Sequence, residues 1–204
     1  MKNIILIDYE NLQVQNLDDV FEIDSEICVF IGALQKKVSA SLVQSAQKFG
    51  NRLRWIPISL TGDNALDFHI AYYLGQMSLV DPKPFFHIVS KDTGFDALIN
   101  YMKGLGFFID RVESMVDIPL VKKMKEIKKD PVGFIKAKIL NVSKPAKLKT
   151  LQTAIKKWLE VSDDGVVNEI IDSLKKKDFL DIDEKGKVTY LCFLSIKGEK
   201  NGRV

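Results

Sequence analysis

The chain has 204 residues, 46% hydrophobic and 28% charged, which is enough apolar material to bury a core without disulfide or metal staples and excludes a disordered chain or a coiled coil. After Met1-Lys2-Asn3 the apolar run Ile4–Ile7 stops at Asp8, far short of the about 20 residues of a spanning helix, so no membrane contact and a cytoplasmic location are expected. The net charge of +3 conceals a division: residues 1–115 hold 10 Lys/Arg against 14 Asp/Glu, whereas residues 116–204 hold 20 against 13, with ten lysines between Lys122 and Lys149.

The first segment alternates short apolar runs with helical patterns. The runs are Ile4–Ile7, Ile27–Ile31, Leu53–Ile58, Phe85–Val89 and Phe107–Val112. Each is nearly continuous in apolar residues, as strands of a parallel sheet covered on both faces must be, and the stretches between them are long enough for crossover helices. Leu66, Ile70, Leu74 and Met77 mark one helix; Phe95, Leu98, Ile99, Met102 and Leu105 mark another, closed by Gly104 and Gly106. Five β/α repeats and a three-layer α/β/α sandwich with a mainly parallel five-stranded sheet follow, over residues 1–115. Cys28 and Cys192 each lie inside strand-like apolar runs and are read as reduced core residues.

From Asp117 the pattern changes. Residues 116–130 are read as a linker carrying a helix around Leu120–Lys128. Helices are expected at Pro131–Leu140, Leu148–Leu159 and Gly165–Lys177, followed by strands Phe179–Ile182 and Val188–Phe193 joined through Glu184-Lys185-Gly186. Three helices and a hairpin describe a small winged-helix-like α+β domain over 131–195, with Asp163 and Asp164 capping the third helix and residues 196–204 a flexible tail.

In an open parallel sheet, chemistry collects beyond the carboxyl ends of the strands, where the strand order reverses. Asp8 ends the first strand, Asp63 and Asp67 open the helix after the third, and Asp92 and Asp96 follow the fourth. With strand order 3-2-1-4-5, Asp8 and Asp92 become neighbours at the switch point. Singly, each acid has an ordinary explanation: Asp63 a cap, Asp92 a turn residue, Asp96 a partner of the helix dipole. Asp67 falls in line with Ala71 and Leu74, beside the buried stripe, where a charge needs a partner. Together they call for a cation, because two carboxylates about 4 Å apart repel by roughly 4 kcal/mol at an effective dielectric of 20. Hard oxygen ligands suit Mg²⁺ or Mn²⁺, and such a site can hydrolyse a phosphodiester without a protein nucleophile.

The segments IILIDYEN, GDNALDFHIAYYLG and HIVSKDTGFDALI resemble the PIN-like superfamily of metal-dependent nucleases, especially its NYN-type bacterial members, over about residues 1–113. Asp8 and Asn11 match the family's Asp and the Asn three positions later; Ser90, Asp92 and Phe95 match its Ser-Gly-Asp-Ser-Asp-Phe type motif. Gly94 stands where the motif has a second Asp, and Asp96 lies two residues on. The resemblance implies Asp8, Asp67 and Asp92 as metal and catalytic ligands, Asp96 as the fourth, Asn11 and Ser90 as polar supports, and Asp63 as a reserve candidate.

His69 and His87 have apolar or aromatic neighbours and are read as core or boundary residues. Tyr72, Tyr73, Phe85 and Phe86 are read as packing and given no role. No GxxxxGK[ST] loop and no GxGxxG follow the first strand. Lys91, Lys136, Lys138, Lys144, Lys147 and Lys149 are candidate phosphate contacts, which would hold a backbone without reading bases; the plainer reading is a solvated face. The first function is therefore a Mg²⁺- or Mn²⁺-dependent ribonuclease, with RNA preferred to DNA as partner and a homo-oligomer compatible with the sequence. A PIN-like protein that binds nucleic acid without turnover is the second. A phosphatase or receiver-like switch is weaker, since Tyr9-Glu10-Asn11 after Asp8 does not fit DxDx[TV].

Overall fold

The computed structural model describes residues 1–59, 61–80 and 83–191, and the chain forms two compact units, Met1–Lys122 and Lys123–Val204. In the first, five strands run parallel in the order β3-β2-β1-β4-β5: β1 (Asn3–Asp8), β2 (Ser25–Ile31), β3 (Leu53–Pro57), β4 (Phe85–Val89) and β5 (Phe108–Val112). Every residue of β1 is buried, as befits a central strand covered on both sides. One pleat face, from Ile4, Leu6, Cys28, Phe30, Ile56, Phe86, Ile88 and Ile109, packs with α2 (Ala65–Met77) and α3 (Phe95–Gly104) through Leu66, Ile70, Leu74, Phe95, Ile99 and Met102. Side chains two apart along a strand share a face, so Asp8 lies on the same side as Ile4 and Leu6, toward these helices. On the opposite pleat face Ile5, Ile7, Ile27 and Val29 are equally buried. The edge strand β3 departs from the expectation of burial on both faces: Arg54, Trp55 and Pro57 are exposed, and Pro57, with no N–H to offer, is at home on an edge.

Five complete β/α repeats do not form. Between β1 and β2 the described chain holds only a 3-10 turn at Asp18–Val20. Val14, Leu17, Val20 and Ile23 are buried at three-residue spacing, out of step with a 3.6 period. Short polar side chains also compete for the backbone, as when Asn16 Oδ1 accepts from the Asp18 N–H at 3.2 Å. Ser45, buried in α1 (Ala40–Gln47), accepts from the Leu17 N–H at 3.1 Å and ties this crossover down. After β5, residues 115–117 form a 3-10 turn and α4 spans Pro119–Lys129, so the segment read as a linker is largely helical, and the boundary between units falls inside α4.

His87 lies in the interior of β4, stacked on Phe85 with ring centroids 4.4 Å apart; its Nε2 is 3.0 Å from Asn3 Oδ1, while its buried Nδ1 has no partner. Burial lowers its pKa to about 4, so the ring is neutral with Nε2–H donating. His69 is exposed rather than packed, its Nδ1 2.6 Å from the Ala65 carbonyl. Among the aromatics, Phe86 is buried and Tyr73 packs edge-on against Phe30, but Tyr72 is 65% exposed and is no core residue. Cys28 is a buried free thiol whose pKa burial raises; Cys192 lies outside the described residues.

The second unit contains α5 (Pro131–Asn141), α6 (Leu148–Leu159), α7 (Asp164–Lys176) and an antiparallel pair, β6 (Leu180–Ile182) and β7 (Val188–Tyr190). Its core joins Ile135 and Ile139, Leu151 and Ile155, Ile170, Ile171 and Leu174, and Leu180 and Val188. Asp130 caps α5 through the Gly133 N–H, and Asp163 caps α7 through the Gly165 N–H at 2.7 Å. Asp164 is the first residue of α7 and pairs with Lys156 at 2.9 Å, so the cap is Asp163 alone. In the hairpin turn Asp183 Oδ1 accepts from the Lys185 and Lys187 N–H groups, and Gly186 takes φ +73°, a conformation suited to glycine. Ahead of α6 the chain pairs with the hairpin through a bridge between Lys147 and Lys187. The strand expected to run to Phe193, and the tail, extend beyond the described residues. No helix among the described residues is long and apolar enough to cross a membrane.

Candidate metal centre

Beyond the carboxyl ends of β1, β2 and β3 a cleft of about 600 Å³ is lined by Asp8, Glu10, Asp63, Asp67 and Asp92 together with Asn11, Gly32, Leu34, Thr61 and Asn64. It sits at the switch point, where β1 pairs with both β2 and β4.

Asp8 is 3% exposed, and both its oxygens are held. Oδ1 accepts from the Asn11 N–H at 3.0 Å; Oδ2 accepts from the Ser90 hydroxyl at 2.7 Å. Burial raises its pKa, the hydrogen bonds from Asn11 and Ser90 pull it back, and the Asp92 charge raises it again. Ser90, wholly buried at the end of β4, also accepts from the Asp92 N–H at 3.0 Å. Asp92 in turn accepts the Gly94 N–H on Oδ1 at 2.7 Å. A Cβ at position 94 would stand 3.1 Å from that oxygen, so the glycine makes room for the fold-back, and a side chain there would press on Asp92.

Asp67 enters from the first turn of α2. The preceding Asn64 adopts a left-handed conformation, φ 57°, with its carbonyl accepting from the Phe68 N–H at 3.0 Å; asparagine tolerates that region better than most residues. Burial raises the Asp67 pKa, and the charges of Asp92, Asp8 and Glu10 raise it further, in that order. Three neighbouring carboxylates therefore press on Asp67 across the cleft, and one of them, Asp92, presses on Asp8 as well.

Two sequence expectations meet the structure differently. Asp96 is not a lining residue. Its carboxylate is engaged by Arg111, Nε to Oδ1 at 2.8 Å, and that hydrogen bond holds its pKa below the usual carboxylate range. The structure does not bring Asp96, expected as the fourth ligand, into the cleft: it pairs instead with Arg111 on β5. Glu10, unassigned from sequence, lines the cleft instead. A Cβ at Gly32 would collide with the Glu10 carboxyl group, so the glycine provides space for the acid to lie across it. The signal was there, since Glu10 is two residues past Asp8 at the end of a strand. Of the remaining expected residues, Asn11 supports Asp8 by its backbone, Asp63 lines the exposed rim, and Lys91 is exposed beside Asp92.

Among the described residues no three His, Cys, Asp or Glu side chains converge tightly enough to clasp one ion. The donor set nevertheless fits Mg²⁺ or Mn²⁺. It is all hard oxygen, it is mutually repulsive, and Mg²⁺ typically keeps several waters while binding one or two carboxylates and substrate phosphate rather than a full protein cage.

In the second unit Lys144, Lys147 and Lys149 are exposed. Lys136 and Lys138 are half-buried, their ammonium groups 5.0 Å from the Phe179 ring centroid and 5.4 Å from that of Phe134.

In comparison with known families, the family model PIN7, a PIN domain, matches residues 2–112. No curated protein and no solved structure matches the chain.

Proposed function

The chain belongs to the PIN-domain family, whose members are generally metal-dependent nucleases, and on that footing we propose that it hydrolyses RNA phosphodiester bonds with Mg²⁺ or Mn²⁺. The observation that carries the reading is the meeting of Asp8, Asp67 and Asp92, with Glu10 and Asp63, in one cleft at the sheet's switch point. Asp8, Asp67 and Asp92 would hold the ion, with Asn11 and Ser90 as supports. A bound divalent cation supplies Lewis-acid polarisation of the phosphodiester and a water nucleophile of lowered pKa. The chain's part is positional and electrostatic. Ser90 fixes the Asp8 oxygen and the Asp92 backbone at once, the Asn11 N–H fixes the other Asp8 oxygen, and Asp67 adds charge against three like neighbours.

The second unit supports a substrate-holding role. Its three helices and its hairpin, bridged by the segment ahead of α6, support reading it as a winged-helix-like domain, and Lys136, Lys138, Lys144, Lys147 and Lys149 belong to that unit. Lysines without arginines suit backbone contact rather than bidentate base reading. RNA is favoured over DNA by the likeness of IILIDYEN and its companion motifs to NYN-type members.

A specific observation favours a second reading, binding without turnover: Asp96 is committed to Arg111, and position 94 carries no acid. One assay separates the two. Labelled RNA and DNA are incubated with Mg²⁺, Mn²⁺ or EDTA and the wild type, Asp8→Asn or Asp92→Asn. Metal-dependent cleavage of RNA, lost in both variants, supports the nuclease; retention of RNA without cleavage supports the second reading; cleavage that survives EDTA or both substitutions removes the mechanism.

A further inference from the structure

We infer that Arg111 is a positioning residue, which sets the Ser90–Asp92 segment against the cleft by gripping both ends of the crossover from β4 to α3. Its guanidinium, 14% exposed, donates from Nε to Asp96 Oδ1 at 2.8 Å and from Nη2 to Oδ2 at 3.5 Å. A third group, Nη1, donates to the Ser90 carbonyl at 3.1 Å. Ser90 begins the crossover and Asp96 lies in the first turn of the helix that ends it. Between them the chain is cinched by its own bonds: Asp92 N–H to Ser90 Oγ, Gly94 N–H to Asp92 Oδ1, and Asp96 N–H to the Thr93 carbonyl at 2.9 Å. Ser90 Oγ in turn donates to Asp8. One planar fork on β5 thus reaches, through Ser90, the Asp8 carboxylate that ends β1 and the Asp92 backbone just beyond β4.

General stability is a poor explanation for this arrangement. The Asp96 carboxyl group is 49% exposed, and ion pairs with an exposed partner contribute little to folding. What the fork adds is geometry, because its donors are fixed relative to one another, whereas a lysine ammonium could hold only one of the two ends. Asp96, two residues beyond Gly94, is accordingly the anchor of the grip. The kinetic consequence rests on the nuclease reading; the structural consequence does not.

The test uses the full chain with Arg111→Lys and, because the Asp96 side chain is half-exposed and lies outside the core, Asp96→Asn. By residue-resolved amide exchange, the Asp92 and Gly94 amides should exchange about tenfold faster or more in both variants, while Ile5–Ile7 and His87–Val89 in the sheet remain unchanged. In the RNA-cleavage assay kcat should fall about tenfold with KM within about twofold, since mispositioning acts on the reacting geometry. Unchanged exchange at Asp92 and Gly94, acceleration spread equally through β1 and β4, or faster local exchange with kcat unaltered would each overturn the proposal. A wild type that does not cleave RNA removes the nuclease reading alone, and the exchange measurement then decides the grip by itself.

Discussion

The two units carry charge in opposite ways. Around the cleft, five acids of the first unit line one cavity, and two of them, Asp8 and Asp67, have carboxyl pKa values raised by burial and by neighbouring carboxylates. In the second unit Lys144, Lys147 and Lys149 are exposed, and Lys136 and Lys138 lie near aromatic rings. The acidic cluster opposes folding and is tolerated because the sheet holds it in place; the basic surface is nearly neutral to folding. Charge that works against its own unit points to a ligand of opposite sign. Charge that costs nothing points to a contact tuned by salt.

The comparison breaks most sharply in kinetics. Asp8→Asn or Asp92→Asn should lower kcat by about a hundredfold or more, roughly 2.7 kcal/mol or more of transition-state stabilisation, measured on labelled RNA with Mn²⁺. Replacing Lys144, Lys147 and Lys149 by Gln should leave kcat unaltered, which would confine catalysis to the first unit.

Acid tests the buried side of the contrast. The folded-state pKa of His87 is about 4, below the ordinary histidine value of 6.5, so the unfolded chain binds more protons between those values. Stability of the first unit is then complete above pH 6.5 and is lost as pH falls toward 4, by roughly 3 kcal/mol at the limit. His87→Gln should flatten that dependence in urea titrations from pH 7 to 4.5.

Salt tests the exposed side. For single-stranded RNA the slope of log K against log salt should fall by about 2 when three lysines are neutralised, with melting unchanged within about 0.5 kcal/mol. An unaltered slope would mark these lysines as ordinary solvated surface.

The smallest effect is the most diagnostic of repulsion. The folded pKa of Asp67 is raised, so its charge is disfavoured in the folded chain at any pH above the unfolded value of 3.8, and the penalty disappears below it. In metal-free buffer at pH 7, Asp67→Asn should therefore raise Tm by about 1–3 °C. Added Mn²⁺ should raise the wild type more than the variant and so close the gap; a variant that melts lower without metal would contradict the electrostatic account.

Much of this architecture was legible because burial leaves a periodic trace. Uninterrupted runs such as Ile4–Ile7 and Phe85–Val89 can satisfy neither a half-exposed strand nor a surface helix, and Leu66, Ile70 and Leu74 recur at helical spacing. The segment from Tyr9 to Asp24 was not legible, since its apolar residues repeat every third position and its conformation is held by a distant donor–acceptor pair, Leu17 with Ser45. The site shows the same limit. That Asp8 and Asp92 meet follows from strand order, but that Glu10 lines the cleft and Asp96 does not was hidden, because which acid faces the cleft depends on Arg111 fifteen residues from Asp96 and on the missing side chain of Gly32.

By itself the sequence determined where chain becomes strand or helix, the split between an acidic front and a basic rear, and the acids available to a cation. Only the tertiary structure decided which of those acids face one another, which is taken by a guanidinium, and which glycines make room for a neighbour. Periodicity is a local property, set by each residue's own exposure to water, whereas a converging site is made of contacts between residues that the chain order keeps apart.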